Sequence, residues 1–292
     1  MNIIEPINQQ KLFGLDGHFL ELVRSYKNNV YPNKLLLSGV KGIGKSTLAY
    51  HFINYVLSKN EDQKYDLSNF EINSNSSTFK TILNGSNSNL IIIDINIDKK
   101  FIEINQIRDL IRNLNKSSFN NKPRFVLIDN IEFLNTNSIN ALLKVLEEPN
   151  RNVYFILINN NKQVLPTLLS RCINYKIHLT NKECLQISNQ LLNDSLENSI
   201  NKDLINYYFT PGSIYYLVKF AEQYNYDLSN LDLKSFLKII IKENHYKKDL
   251  FMKNIIFNLV EFYFRKLNLS FSKKIYEKYS YFLKKISDTK NF

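Results

Sequence analysis

Eight consecutive residues constrain the fold of this chain more than any other feature. Residues 39–46 match the P-loop pattern G-x-x-x-x-G-K-[ST]. The apolar run Leu35-Leu36-Leu37 precedes this loop, and a helical pattern from Thr47 to Leu57 follows it. An apolar run of this kind suits a strand that is buried in a parallel sheet. The order of strand, glycine-rich loop and helix therefore predicts an α/β fold.

The same loop predicts a phosphate-binding site for ATP or GTP. Its glycines let successive backbone N–H groups point inward, and the N-terminus of the next helix favours negative charge. Lys45 would contact the β- and γ-phosphates, and the Ser46 hydroxyl would bind Mg²⁺. The candidate cofactor-binding residues are Gly39, Lys41, Gly42, Ile43, Gly44, Lys45, Ser46 and Thr47.

A carboxylate further along the chain is a candidate for the metal side of this site. Residues 124–129 form a strand pattern that ends in Asp129. The carboxyl end of a central parallel strand lies beside a P-loop, where a carboxylate can hold Mg²⁺ through water. We therefore expect Ser46 and Asp129 to be the metal-side residues, with ATP and Mg²⁺ as cofactors. The alternative is an ordinary strand-ending Asp that caps a turn.

Strand and helix patterns alternate up to about Leu179. Further strands are predicted at 90–94 and 153–158, and helices at 103–114 and 137–148. The polar stretch 60–89 predicts a mostly irregular segment. Beyond Leu179 the pattern changes to amphipathic helices at 181–192, 201–208, 213–224, 234–241, 247–267 and 272–286. One boundary is therefore expected near Leu179 and a second between residues 223 and 234.

Composition limits the class of protein. The 292 residues are 44% hydrophobic, and no apolar run is long enough to span a membrane. The first residues do not resemble a secretion signal, which favours a cytoplasmic location. Cys172 and Cys184 lack C-x-x-C spacing, so we expect neither a disulfide nor zinc. The net charge of +11 favours a nucleic-acid partner, but a compositional bias of the source genome explains it equally well.

Two further motifs resemble a known family. Residues 140–149 read N-A-L-L-K-V-L-E-E-P, and residues 170–172 read S-R-C. Together with the strand that ends at Asp129, they resemble the AAA+ module of bacterial DNA polymerase III clamp loaders. The stretches I-N-Q-I-R at 104–108 and L-F-G at 12–14 resemble two more elements of that module. The resemblance covers about residues 6–179.

Within that family the sequence most resembles the delta-prime subunit. The zinc-binding cysteines and the D-E-A-x box that are typical of the tau/gamma subunit are missing. Asn130 follows Asp129, where an active AAA+ ATPase has a glutamate, and Glu132 is expected to point elsewhere. Ser213 stands where the family often presents an arginine to the γ-phosphate. The resemblance implies nucleotide binding with little or no hydrolysis, and it leaves open whether the chain is itself an enzyme.

The resemblance also implies roles for two catalytic residues. Arg171 would be an arginine finger that acts in trans on nucleotide bound by a neighbouring subunit. Asn159, just after the third apolar run, would be sensor 1 at the γ-phosphate, although the adjacent asparagines allow a shift by one residue. The alternative for Arg171 is an ion pair with a carboxylate of its own domain.

The implied architecture has three parts: an AAA+ nucleotide-binding domain over 1–179, a helical lid over 180–230 and a helical oligomerisation region, the collar, over 231–292. The implied partners are the tau/gamma and delta clamp loader subunits, the sliding clamp and, through the complex, primed DNA, without membrane or zinc.

Two other functions of P-loop proteins make different demands on the sequence. A self-sufficient AAA+ ATPase such as a helicase loader would need the glutamate that position 130 lacks. A small-molecule P-loop kinase would need an acceptor pocket with lid arginines, and no pattern beyond Leu179 supplies them.

Overall fold

The chain forms two compact units. The computed structural model describes residues 5–96, 99–116, 120–147, 152–205, 209–248, 250–267, 277–278 and 280–285. One unit ends at Glu183 and the other begins at Cys184, so the boundary falls in the first turn of a helix.

The first unit is built on a parallel sheet of five strands. They are β1 (Lys34–Ser38), β2 (Leu90–Ile93), β3 (Arg124–Ile128), β4 (Val153–Asn159) and β5 (Ile173–Lys176), in the spatial order β2-β3-β4-β1-β5. The predicted parallel α/β fold is therefore confirmed. The strands predicted at 35–37, 90–94, 124–129 and 153–158 correspond to β1 to β4.

Side chains of the sheet pack on both of its faces. Along β1, Leu35 and Leu37 belong to one hydrophobic core, and Leu36 belongs to another. Successive side chains of a strand point to opposite faces, so a continuous apolar run is what a doubly covered sheet requires. The helices of this unit are α1 (Asp16–Lys27), α2 (Lys45–Leu57), α3 (Ser77–Leu83), α4 (Ile104–Leu114), α5 (Thr136–Glu147) and α6 (Pro166–Leu169).

Different helices pack in the two hydrophobic cores of this unit. Phe19 of α1, Phe52 of α2 and Phe79 of α3 pack with Leu35 and Leu37. The core on the other face contains Leu36 with side chains of α4, α5 and α6, which are Ile107, Leu110, Leu142, Leu146 and Leu168. Both faces of the sheet are thus covered.

Strand β5 and helix α1 do not appear among the sequence predictions. Strand β5 pairs with β1 at the edge of the sheet, and its residue Ile173 is 62% exposed. The polar sequence I-N-Y-K therefore lacks the apolar run of a buried strand. The stretch 60–89 is mostly irregular as predicted, with α3 as an exception.

The second unit is helical. It contains most of α7 (Asn181–Leu192), followed by α8 (Leu196–Ser199), α9 (Pro211–Tyr224), α10 (Leu233–Lys242), α11 (His245–Lys248) and α12 (Leu250–Leu267). The helices predicted at 181–192, 213–224 and 234–241 are confirmed. For the helix predicted at 201–208, the part over 201–205 is wrong, because a 3-10 turn over Lys202–Leu204 is followed by extended backbone at Ile205. Residues 206–208 lie outside the described residues.

Two predictions near the carboxyl end have mixed outcomes. The segment 247–267 divides into α11 and α12, with residue 249 outside the described residues. For the helix predicted at 272–286, residues 277–278 and 280–285 are helical, and the rest lies outside the described residues.

One hydrophobic core joins the helices of the second unit. It extends from Leu196 to Leu259 and includes the fully buried Leu217 and Phe236. Residues on both sides of the predicted boundary at 230 thus share a core, and the division into lid and collar stays a prediction. In the described part of the chain, no helix is both long enough and apolar enough to cross a membrane.

Candidate functional site

The P-loop joins the carboxyl end of β1 to the start of α2. Gly42 and Gly44 have φ values of 86° and 95°, in the left-handed region that L side chains rarely adopt. A Cβ atom on Gly44 would lie 2.9 Å from Cδ1 of Leu15. Backbone geometry and close packing therefore both require glycine at position 44. Ile43 is a core residue, so it can offer a ligand its backbone only.

Lys45 is the buried charged group of the loop. Its side chain is 3% exposed, and Nζ donates hydrogen bonds of 2.8 Å to the carbonyl oxygens of Gly39 and Val40. Burial lowers the pKa of Lys45 to about 8, and the charges of Asp129 and Glu132 oppose this shift. The ammonium group is thus held inside the loop with little water around it. Lys41 is exposed, and Thr47 is partly buried in the first turn of α2.

Ser46 and Asp129 meet as the sequence predicts. Ser46 Oγ donates a hydrogen bond of 2.5 Å to Oδ2 of Asp129, which follows β3. Burial raises the pKa of Asp129, and the bond from Ser46 opposes this rise. Hydroxyl and carboxylate oxygens are ligands that Mg²⁺ accepts. This pair is therefore the candidate metal-side group. Among the described residues, no three His, Cys, Asp or Glu side chains cluster to hold a metal.

A polar network that was not predicted extends from Asp129 along the same edge of the sheet. Asn130 Nδ2 donates to Oδ1 of Asp94, which follows β2, at 2.7 Å. Asn160 Nδ2 donates to Oδ1 of Asn130 at 2.8 Å. The backbone N–H of Asn160 donates to Glu132 Oε2 at 3.3 Å. Glu132 therefore faces the site rather than pointing elsewhere.

The signal for this network was present in the sequence. Asp94 ends a predicted strand, as Asp129 does, and parallel strands bring such residues to one edge. What the sequence does not state is that β2 and β3 are neighbours.

Asn159 lies at the end of β4, next to β1. Its side chain exchanges hydrogen bonds with the backbone of Lys162, at 3.0 Å to the carbonyl oxygen and 3.3 Å from the N–H. Asn159 thus shapes the turn after β4, while its neighbour Asn160 joins the polar network. A role of Asn159 as sensor 1 stays a prediction.

Arg171 follows α6 and forms an ion pair within its own unit. Nε and Nη2 donate to the same oxygen of Glu147, at 3.1 Å and 2.5 Å, and Nη1 donates to the Thr167 carbonyl oxygen at 2.8 Å. The guanidinium-bearing side chain is 32% exposed, and that of Glu147 is 51% exposed. The alternative of an ion pair with its own domain thus describes this single chain, and a role in trans stays a prediction.

Ser213 has a structural role in the second unit. Its hydroxyl donates to the Thr210 carbonyl oxygen at 2.8 Å and accepts from the Thr210 N–H at 2.8 Å, while Thr210 Oγ1 accepts from the Ser213 N–H. These bonds form a capping box at the start of α9. The residue that stands in place of an arginine therefore stabilises a helix terminus.

The fold and the site together define a class. A parallel sheet with a P-loop after β1, and with a carboxylate after β3 bonded to the P-loop serine, defines a P-loop α/β protein. Residues 16–181, more than half of the chain, match the family described as "DNA polymerase III, delta subunit". The chain therefore belongs to this family, and the predicted resemblance to clamp loader subunits is confirmed.

Curated relatives agree with this family. DNA polymerase III subunit delta' of Buchnera aphidicola subsp. Baizongia pistaciae is 30% identical over 179 residues, which are 56% of this chain and 51% of that protein. Subunit gamma/tau of Mycoplasma genitalium is 30% identical over 171 residues, which are 58% of this chain and 27% of that protein. The chain thus matches only about a quarter to a half of the length of these relatives.

Solved structures resemble the chain more distantly. A DNA polymerase III gamma subunit-related protein of Thermotoga maritima has 16% identity and a TM-score of 0.47, with 91% of each chain covered. The Bacillus subtilis DNA clamp loader delta protein has 14% identity and a TM-score of 0.38, with 93% of this chain and 83% of that chain covered. Both TM-scores are below 0.5, whereas the strand order and the family match define the fold directly.

Proposed function

We propose that this chain is a delta-prime-like clamp loader subunit that binds ATP with Mg²⁺ and hydrolyses it weakly or not at all. Its main contribution would be an arginine supplied to nucleotide on a neighbouring subunit. The observation that best supports this proposal is that the P-loop side chains are assembled, while the residue after Asp129 carries a neutral amide. Lys45, Ser46 and Asp129 are assembled, while Asn130 replaces the expected glutamate.

The residues around the loop fit a bound nucleotide. The left-handed backbone at Gly42 and Gly44 suits a loop whose N–H groups face an anion. Lys45 would bind phosphate oxygens in exchange for the two carbonyl oxygens that its ammonium group contacts now. Ser46 and Asp129 would hold Mg²⁺, with Asp129 acting through water. When bound, the metal would supply positive charge next to the phosphate oxygens.

Weak hydrolysis follows from the chemistry at position 130. A glutamate there would orient an attacking water, whereas the neutral amide of Asn130 cannot accept a proton. The Asn130 amide is also bonded to Asp94 and Asn160. Ser213, in place of a second arginine, adds no positive charge for the phosphates. If ATP is bound but hydrolysed slowly, its effect would be on assembly. Bound ATP would favour the assembled, clamp-binding state through contacts made in that state.

Arg171 would act on nucleotide held by an adjoining subunit. A guanidinium stabilises charge that develops on a transferred phosphoryl group, and an arginine finger is worth roughly 10³ to 10⁵ in rate. The partial exposure of Arg171 is compatible with access by a partner. The partners of the proposed complex are the tau/gamma and delta subunits, the sliding clamp and, through the complex, primed DNA, in the cytoplasm. Residues 231–292 would contribute to a collar.

A reconstituted clamp loader tests the role in trans. The chain should co-purify with the other subunits more efficiently with ATP than without it. The variant Arg171→Ala should still assemble, while DNA-stimulated ATP hydrolysis by the complex falls. Assembly with unchanged hydrolysis would contradict the role of Arg171, and failure to join the complex in either condition would contradict the subunit assignment.

One observation favours the alternative of a self-sufficient ATPase. Asp94 and Glu132 both belong to the polar network beside Asp129, and either carboxylate could orient water in place of residue 130. A steady-state ATPase assay on the isolated chain separates the two functions. We expect very slow turnover, and turnover typical of an active motor that disappears in Lys45→Ala would reject our proposal.

A further inference from the structure

We propose that Glu147 is a positioning residue for Arg171. It would hold one edge of the guanidinium in the chain's own domain and leave terminal N–H groups for an oxyanion on a neighbouring subunit. This inference rests on the proposed action of Arg171 in trans. It adds a second residue to that action and predicts which variants weaken it.

The contacts define which part of the guanidinium is held. Nε and Nη2 of Arg171 both donate to Oε1 of Glu147, so the carboxylate grips the side of the group next to the Nε–H. On the opposite side, Nη1 donates to the Thr167 carbonyl oxygen at 2.8 Å. The Ser170 hydroxyl lies 3.5 Å from Nη1, at the limit of a hydrogen bond. The two anchors thus favour one orientation of the guanidinium plane.

A count of donors shows what remains for a partner. A guanidinium has five N–H groups, one on Nε and two on each terminal nitrogen. The close bonds to Glu147 and Thr167 use the Nε–H and one N–H of each terminal nitrogen. The second N–H of Nη1 has only the long contact of 3.5 Å to the Ser170 hydroxyl, and no acceptor contacts the second N–H of Nη2 within the described residues. These two donors can turn to a partner on a side chain that is 32% exposed. Donors of this kind bind phosphate oxygens in pairs.

Both members of the pair are attached to rigid elements. Glu147 is the last residue of α5, whose Leu146 is fully buried, and Arg171 follows α6, whose Leu168 is fully buried. The Leu146 carbonyl oxygen also accepts a bond from Lys34 Nζ at 3.0 Å. The ion pair therefore connects two anchored helix ends, and it can orient Arg171 relative to the sheet.

The place of Glu147 in its helix also favours a role beyond local stability. A negative charge at the C-terminus of a helix opposes the helix dipole, so Glu147 is unfavourable for α5 by itself. Arg171 offsets that charge. A residue that breaks a local rule and has one well-placed partner is a candidate for a functional constraint.

The partial exposure of the Arg171–Glu147 pair indicates that Glu147 orients Arg171 and does not sequester it from a partner. A pair that sequestered Arg171 would be buried and would use most of its donors, and a buried pair is costly to break. Here the two side chains are 32% and 51% exposed. Exposed pairs contribute little free energy. The interaction can therefore bias the orientation of Arg171 without preventing its contact with a partner.

The test uses the full chain in a clamp loader reconstituted with the other subunits. The Arg171-dependent rate is the DNA-stimulated ATPase rate that Arg171→Ala removes. We expect Glu147→Ala to lower this rate about two- to fivefold, since that range corresponds to one exposed ion pair. Glu147→Gln should lie between Glu147→Ala and wild type, because its amide oxygen can still accept from Nε. The KM for ATP should not change.

A matched control is available in the second unit. Lys219 pairs with Glu222 at 2.7 Å. The Lys219 side chain is 31% exposed and the Glu222 side chain is 55% exposed, so this pair resembles the Arg171–Glu147 pair in exposure. Glu222→Ala should leave the ATPase rate unchanged. The double variant of Arg171→Ala with Glu147→Ala should match Arg171→Ala alone, since Glu147 would act only through Arg171.

Different outcomes reject different statements. If Arg171→Ala lowers the rate and Glu147→Ala does not, the positioning role is wrong while the proposed function stands. A faster Glu147→Ala enzyme would show sequestration and would overturn the inference. If Arg171→Ala itself has no effect, the role in trans fails, and the role of Glu147 fails with it.

A measurement on the isolated chain does not depend on the proposed function. The sequence has seven arginines, so selective ¹⁵N labelling of arginine Nε gives a small set of NMR signals. The Arg171 Nε–H signal, identified by its loss in Arg171→Lys, should exchange more slowly with water than those of exposed arginines. It should exchange faster in Glu147→Ala. Equal exchange in both proteins would show that Glu147 does not hold Arg171 in solution.

Discussion

Raising the pH from 7 to 9 should weaken nucleotide binding, because Lys45 loses its proton in this range. Lys45 is 3% exposed, and burial lowers the pKa of its ammonium group to about 8. Phosphate oxygens in contact with the ammonium group favour its charged form, so the pKa is higher in the complex than in the free protein. Binding therefore takes up a proton, and affinity falls as the pH rises through about 8.

The protonated fraction of the free protein sets the magnitude. With a pKa of about 8, about nine-tenths of the Lys45 side chains are charged at pH 7 and about one-tenth at pH 9. Because the nucleotide is expected to bind the charged form, its dissociation constant should rise about tenfold, or about 1.4 kcal/mol. At pH 8.5, binding should take up about three-quarters of a proton.

Isothermal titration calorimetry in two buffers of different ionisation enthalpy measures both quantities. Titrations at constant Mg²⁺ give the affinity at each pH, and the difference between buffers gives the number of protons taken up. The variant Lys45→Met is the control, since its weaker binding should not depend on pH between 7 and 9. Constant wild-type affinity without proton uptake would refute the reasoning, as would an equal pH dependence in Lys45→Met.

Three further predictions concern stability. Gly44→Ala should lower the free energy of unfolding by about 1–3 kcal/mol, because φ is 95° and the new Cβ would lie 2.9 Å from Leu15 Cδ1. The control Gly17→Ala lies in α1 with no atom within 4 Å, so equal losses in urea unfolding would contradict this explanation. Thr210→Ala should cost about 1 kcal/mol by removing the cap of α9, and an unchanged Tm would exclude that role. Asp129→Asn should raise Tm at pH 7, because burial raises the pKa of Asp129 and so disfavours its charged form. This gain should shrink as the pH falls and wild-type Asp129 becomes protonated, and a gain that persists unchanged at low pH would contradict the cause.

The sequence alone was sufficient for the central elements of the first unit. The P-loop needs glycine where the backbone is left-handed, and such a requirement is visible in the residue types. The predicted strands corresponding to β1, β3 and β4 are apolar because they lie inside the sheet and both of its faces are covered. Strand β2 is also apolar, although it lies at an edge and its Ile92 is 40% exposed. Helix periodicity located α4 and α5, since each buries one face. Helix α2 is buried continuously from Leu48 to Leu57, and its place directly after the P-loop located it.

Elements without such a pattern were missed. Strand β5 lies at the sheet edge, where polar side chains face water, so its sequence has no apolar run. The 3-10 turn at Lys202–Leu204 replaced a predicted helix, because helical spacing of apolar residues does not ensure that a full helix forms.

The sequence by itself determined the strand–loop–helix order, the phosphate-binding residue types and the resemblance to clamp loader subunits. The tertiary structure decided which residues meet. Asp94 contacts Asn130 because β2 and β3 are neighbours, and Glu147 contacts Arg171 across 24 positions of the chain. It also decided the lowered pKa of Lys45, because loss of water depends on the whole surrounding fold. Local patterns encode backbone preference and burial, whereas contacts between distant segments depend on how the sheet and helices are arranged in space.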